Sequence, residues 1–163
     1  MASRHDVFNV AAQAVEQRLA GDIEWLHGGQ MFDLDSGGMC ARFVRQCYET
    51  AMGISAFSWA YCAGTARDME AKLKAAGLEV SDPQPGDIVC FNNQAYSAGH
   101  IAIYAWCVTI KGNLIASDPR GVSSVFENTS SGVRGNPEEP GTKVTPFAGL
   151  EHEVSGFYSP LPA

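Results

Sequence analysis

The chain has 163 residues, 45% hydrophobic and 18% charged, which suits one compact domain that can fold without disulfides or a structural metal. The 11 Lys and Arg stand against 18 Asp and Glu, a formal charge of −7 that argues against a binder of the nucleic-acid backbone. Charged residues interrupt every apolar stretch of membrane-spanning length, and the first residues, Met1-Ala-Ser-Arg-His-Asp6, lack the apolar core of a signal peptide. The expectation is therefore synthesis in the cytoplasm, no membrane partner and no export by the usual signal.

Residues 6–20 place Val7, Val10, Ala11, Ala14 and Val15 at helical spacing, with Ser3 or Asp6 as N-cap and Gly21 beyond the end. The Gly-rich stretch 27–38 reads as a loop. From Met39 the pattern is helical again, with Cys40, Val44, Cys47 and Ala51 on one stripe as far as Gly53. A third helix is predicted over 65–76, capped by Thr65, carrying Met69, Leu73 and Ala76, and stopped by Gly77. Beyond Asp82 the composition turns to short strands over 88–91, 101–108, 114–117, 122–127 and 156–158, with Lys111-Gly112-Asn113 as a hairpin turn. Residues 129–146 read as a loop with one further strand near 143–145. Helices first and strands second predict an α+β fold, its N-terminal helices packed on an antiparallel sheet, over a single domain spanning 1–163.

Five cysteines, Cys40, Cys47, Cys62, Cys90 and Cys107, are an odd number with no CxxC pair, which fits neither a disulfide framework nor a zinc ribbon. Four of them read as small buried hydrophobes or unremarkable thiols. Cys40 differs because it opens a helix, where unpaired backbone N–H groups and the helix dipole favour a thiolate and can hold an oxyanion. A nucleophilic thiol needs a base. Among His5, His27, His100 and His152, only His100 opens an apolar strand (His100-Ile-Ala-Ile-Tyr104) after small residues, where its ring can face a cleft.

The order of four segments resembles the NlpC/P60 family of papain-like cysteine peptidases, which cut peptidoglycan stem peptides or crosslinks. These are Trp25-Leu-His-Gly28-Gly29, Cys40-Ala-Arg-Phe-Val44, Pro85-Gly86-Asp87-Ile-Val-Cys-Phe91 and Gly99-His100-Ile-Ala-Ile-Tyr104, and the resemblance covers roughly residues 20–131. The family's usual Asp-Cys-Ser-Gly is here Met39-Cys40-Ala41-Arg42, and its tyrosine before Gly-Gly is Trp25. The resemblance implies a thiol hydrolase in which Cys40 attacks, His100 carries the proton and a third polar residue orients the ring. Asn128 is the preferred third residue, with Asp118 as the alternative; Trp25 and Arg42 are candidate substrate contacts, Arg42 for a carboxylate. No metal or organic cofactor is expected. The expected substrate is a peptidoglycan peptide, met through phage or effector-type delivery, with an immunity protein or phage structural protein as possible partner. Rival readings are an amidase or transferase on another substrate, a silent binding module, and a metal site of Cys40, Cys90, Cys107 and His100.

Overall fold

A computed structural model describes residues 1–92, 98–110, 113–116, 122–130 and 140–163. The first helix, α1 (Arg4–Leu19), is capped by Ser3. Its side chain accepts from the Asp6 N–H while the Asp6 carboxylate accepts from the Ser3 N–H at 2.7 Å, so two otherwise unpaired donors are satisfied reciprocally. The expected loop over 27–38 is only partly a loop. β1 (Glu24–His27) and β2 (Gln30–Asp33) form an antiparallel hairpin about Gly28-Gly29, with Trp25 opposite Phe32 and Leu26 opposite Met31. The strands have four residues each, and glycine-rich flanks hid so short an alternation.

α2 (Cys40–Met52) ends at Gly53, and α3 (Ala66–Ala75) starts on Thr65, whose hydroxyl accepts from the Asp68 N–H. Both helices stand where the periodicity predicts them. The remaining strands are β3 (Glu79–Val80), β4 (Ile88–Phe91), β5 (His100–Ile110), β6 (Asn113–Ala116), β7 (Val122–Thr129), β8 (Gly141–Pro146) and β9 (Val154–Tyr158). They form an antiparallel sheet in the order β3-β9-β4-β5-β7-β8, with β6 also on β5. This is the α+β arrangement read from the sequence. Residues 111 and 112 of the expected turn, and 131–139 of the expected loop, lie outside the described residues.

The sheet is covered on both faces. Val7, Phe8 and Ala11 of α1 and Phe43, Val44, Cys47 and Tyr48 of α2 share a core with Ile88, Cys90, Ile101, Ile103 and Phe126. Val89, Phe91, Ala102, Tyr104 and Val125 pack on the other face beneath Phe147. Strand alternation thus assigns the odd and even positions of β4, β5 and β7 to opposite sides. Burial pushes the thiols of Cys47 and Cys90 well up, as befits core residues.

The Pro-Gly-Asp segment is a structural junction. Gly86 has φ +97°, and a Cβ there would lie 1.9 Å from the Arg4 carbonyl oxygen, so only glycine admits this approach. Its own carbonyl accepts from the Tyr48 hydroxyl at 2.7 Å. Buried Asp87 accepts from the Gln84 N–H and the Ser159 hydroxyl and faces Arg4 at 3.7 Å, tying α1, the turn before β4 and the C-terminal segment together.

α2 also buries a polar face. Arg45, Gln46 and Glu49 are all nearly inaccessible. The Glu49 carboxylate accepts from Arg45, from the Gln30 amide at 3.1 Å and from the Trp59 N–H at 3.2 Å. The hairpin and residues 53–64 are therefore both fastened to α2 through one buried carboxylate. Arg45→Ala would strand that charge and should lower unfolding free energy by about 3–5 kcal/mol. Denaturant titration checks this, and the double replacement Arg45→Met with Glu49→Leu should recover most of the loss.

Candidate active site

Cys40 is the first residue of α2, and nothing caps that helix through a side chain. Met39 is the N-cap residue and its sulfur accepts from Arg42, not from the helix backbone, so no side chain competes for the first-turn N–H groups. The segment before Cys40 is held instead by Asn128. Its Oδ1 accepts from the Met39 N–H at 2.8 Å, and its Nδ2 donates to the Ser36 carbonyl at 2.8 Å.

His100 is the first residue of β5 and is buried. Gly99, at φ +77°, precedes it where a Cβ would meet the Arg67 backbone nitrogen at 2.9 Å, and the Arg67 N–H donates to the Ala98 carbonyl. The start of α3 thus fixes the approach to the imidazole. The ring and the Cys40 thiol are electrostatically coupled, each shifting the titration of the other. The His100 Nε2 lies 2.8 Å from Oε1 of fully buried Glu127, which leaves Nδ1 for the sulfur.

The structure brings together Cys40 and His100 as the sequence predicts, but the residue on the imidazole is Glu127, not Asn128. The pleat explains this placement. Phe126 belongs to the helix-side core and Val125 to the opposite one, so alternation turns Asn128 toward the segment before α2 and Glu127 toward the face that carries His100 and Ala102. A carboxylate directly after the apolar pair Val125-Phe126 was the signal in the sequence; reading it required the register of β7 against β5. Asp118 lies outside the described residues.

The electrostatics of the pair are mutual. Burial works to raise the Cys40 thiol, yet the hydrogen bond and charge of His100, with the N–H groups of Ile101 and Ala41, bring it below its usual value of 9.0. For His100 burial works to lower the pKa, but its bonds to Cys40 and Glu127 and the charges of both push it up to about 9. The two shifts run in opposite directions and favour a thiolate facing an imidazolium, and the two titrate as a unit. Activity should therefore rise as Cys40 deprotonates and fall as His100 loses its proton near pH 9, a profile that kcat/KM measured against pH checks directly.

Two pockets flank the pair. One of about 490 Å³ is bounded by Met31, Ala41, Arg42, Gln46, Phe57 and Gly64 among others; the second, about 270 Å³, includes Arg67, Glu70, Asn92 and His100. Arg42 is exposed at the first pocket and donates to the Met31 carbonyl at 3.2 Å. Trp25 is not among the residues of either pocket. Its ring packs on Phe32 and stacks on His27, and Met31 on the outward face of the hairpin reaches the pocket. Among the described residues no group of three or more His, Cys, Asp or Glu side chains is placed to hold a metal ion.

A helix-borne thiol facing a strand-borne imidazole on an antiparallel sheet is the arrangement of papain-like thiol hydrolases. The family model of the CHAP domain matches residues 30–115, just over half of the chain, and the chain belongs to that family. This domain is found in NlpC/P60-like cysteine peptidases and amidases, in accord with the resemblance in the sequence, and its presence points to a peptidoglycan hydrolase of amidase or peptidase type. Comparison with curated proteins and with solved structures gave no match.

Proposed function

We propose that the chain is a cysteine hydrolase that cuts amide bonds in peptidoglycan stem peptides or crosslinks, with Cys40 as nucleophile, His100 as acid and base, and Glu127 as the residue that orients the ring. The single observation carrying this reading is the Cys40 thiol at the start of α2, coupled to the His100 imidazole of β5, whose Nε2 lies 2.8 Å from the buried Glu127 carboxylate of β7. The Cys40 thiolate adds to the carbonyl carbon, and backbone N–H groups at the helix start hold the oxyanion. His100 gives its proton to the leaving amine as the C–N bond breaks, leaving a thioester on Cys40. The neutral imidazole then takes a proton from water, hydroxide adds to the thioester carbon, and the acid departs as the thiolate returns. Glu127 holds the ring in one orientation and stabilises its charged form.

Cell-wall lysis of the phage-lysin or antibacterial-effector type fits this chemistry, with an immunity protein or phage structural protein as the expected partner. The test is chemical. Iodoacetamide at pH 7 should label Cys40 far faster than the other four thiols, and clearing of a cell-wall suspension should be lost in step with that labelling. Equal labelling of all five thiols in the native protein, or clearing that survives full alkylation of Cys40, would contradict the assignment.

A further inference from the structure

The first pocket has features that the hydrolytic reaction alone does not use. Phe57 is 74% exposed, although an aromatic ring gains most by burial. It is also the only non-glycine residue with positive φ among the described residues, at 64°, a conformation that persists only where the surroundings impose it. They do so here. The Arg45 guanidinium lies 4.0 Å from the ring centroid, and Arg45 is itself locked by Glu49 and Gln30 in the buried network. The ring thus rests on a fixed cation while the residue stays largely exposed.

Arg42 lies one helical turn before Arg45 on the same side of α2. Among the described residues no carboxylate stands within ion-pair distance of it. The neighbouring Asp33, whose carboxyl is held below the usual range first by the Ser36 N–H and in smaller part by the charge of Arg42, is committed to the N–H groups of Asp35 and Ser36. In a chain of net charge −7, this pocket therefore presents an exposed guanidinium, bonded only to the neutral Met31 carbonyl and Met39 sulfur among the described residues, beside an apolar wall of Met31, Ala41, Ala56, Phe57 and Ala63. Its volume, about 490 Å³, lies in the range of sites that hold small ligands.

Direction follows from the chemistry. His100 lines the second pocket and must deliver its proton to the leaving amine, so the leaving group lies on that side. Ala41, whose N–H reaches the sulfur, lines the first pocket, so the acyl portion of the substrate extends there.

We propose that the pocket between the β1–β2 hairpin, α2 and residues 53–64 is the acyl-side subsite, and that it takes a peptide segment carrying a free carboxylate, bound by Arg42, next to an apolar group seated on Phe57. Arg45 and Glu49 act as positioning residues that fix the Phe57 platform. This assignment rests on the reading of the chain as a thiol hydrolase, because that reading sets which side receives the acyl group.

The test uses the Cys40→Ala protein and two synthetic peptidoglycan stem peptides, identical except that the acyl-side carboxylate is free in one and amidated in the other. By calorimetry the free acid should bind about tenfold more tightly, the effect of one charge-assisted contact. Arg42→Gln in the same background should erase that difference, and Phe57→Ala should weaken both peptides by roughly fivefold. Both side chains are exposed, so folding is retained, as circular dichroism will verify. Equal affinities, a difference that survives Arg42→Gln, or no binding of either peptide overturns the subsite. Turnover by the unmodified protein is read separately. Arg42-dependent binding without cleavage leaves the carboxylate pocket standing and removes the hydrolytic reading together with the acyl-side label; cleavage indifferent to the carboxylate removes the pocket and leaves hydrolysis.

Discussion

Cys40→Ala should abolish turnover and Cys40→Ser should lower kcat by about 10⁴-fold or more, while both proteins should unfold as cooperatively as the parent. The size of the effect follows from the role of the sulfur, which forms and breaks the bond to the substrate carbonyl, so no neighbouring group replaces it. Retention of the fold follows from position. Cys40 is half-buried at the first turn of α2 and contributes only the margin of the core, whereas Cys47, two turns further along the same stripe, is fully inside. Its serine counterpart keeps the volume and loses the low pKa that the His100 charge and the helix-start N–H groups confer on the thiol. Activity in Cys40→Ala above a tenth of the parent value would remove the nucleophile assignment; loss of cooperative unfolding in both variants would make the residue structural.

Glu127→Gln should lower kcat/KM by about 10²–10³-fold, since a glutamine retains the approximate shape and loses the charge that orients and stabilises the imidazolium. The sign of the pH effect is fixed by the shift. Glu127 helps raise His100 to about 9, so its neutral replacement lets the ring lose its proton at lower pH, and the alkaline limb of the rate profile moves down. Cys40, held below its usual value in part by the charge of His100, moves up, and alkylation at pH 7 slows. Asn128→Ala should act differently. That side chain secures Met39 and Ser36, so its loss displaces Cys40 and reduces the rate without moving the alkaline limb. A limb that shifts in Asn128→Ala and stays in Glu127→Gln would reverse the two roles.

The contrast between these neighbours marks how far the sequence could be read. Periodicity and caps located α1, α2 and α3, and residue type at an element boundary located Cys40 and His100, because each of those signals is local. The third residue is not local. Two adjacent polar side chains at the end of β7 point to opposite faces, and only the pairing of β7 with β5 decides which one meets the imidazole. The polar face of α2 was hidden for the same reason. Arg45, Gln46 and Glu49 look like a solvated stripe until the hairpin and residues 53–64 are laid over them, and strands of four residues amid glycines gave little warning of that hairpin.

The central claim is that the Cys40, His100, Glu127 series hydrolyses amide bonds of peptidoglycan. The most direct measurement digests purified peptidoglycan with the protein and with its Cys40→Ala variant, and identifies by mass spectrometry every new amine and carboxyl terminus. The account predicts paired new amines and carboxylates at one type of stem-peptide or crosslink bond with the parent protein, and none with the variant. No new termini from the parent protein, or the same termini released by Cys40→Ala, would contradict it.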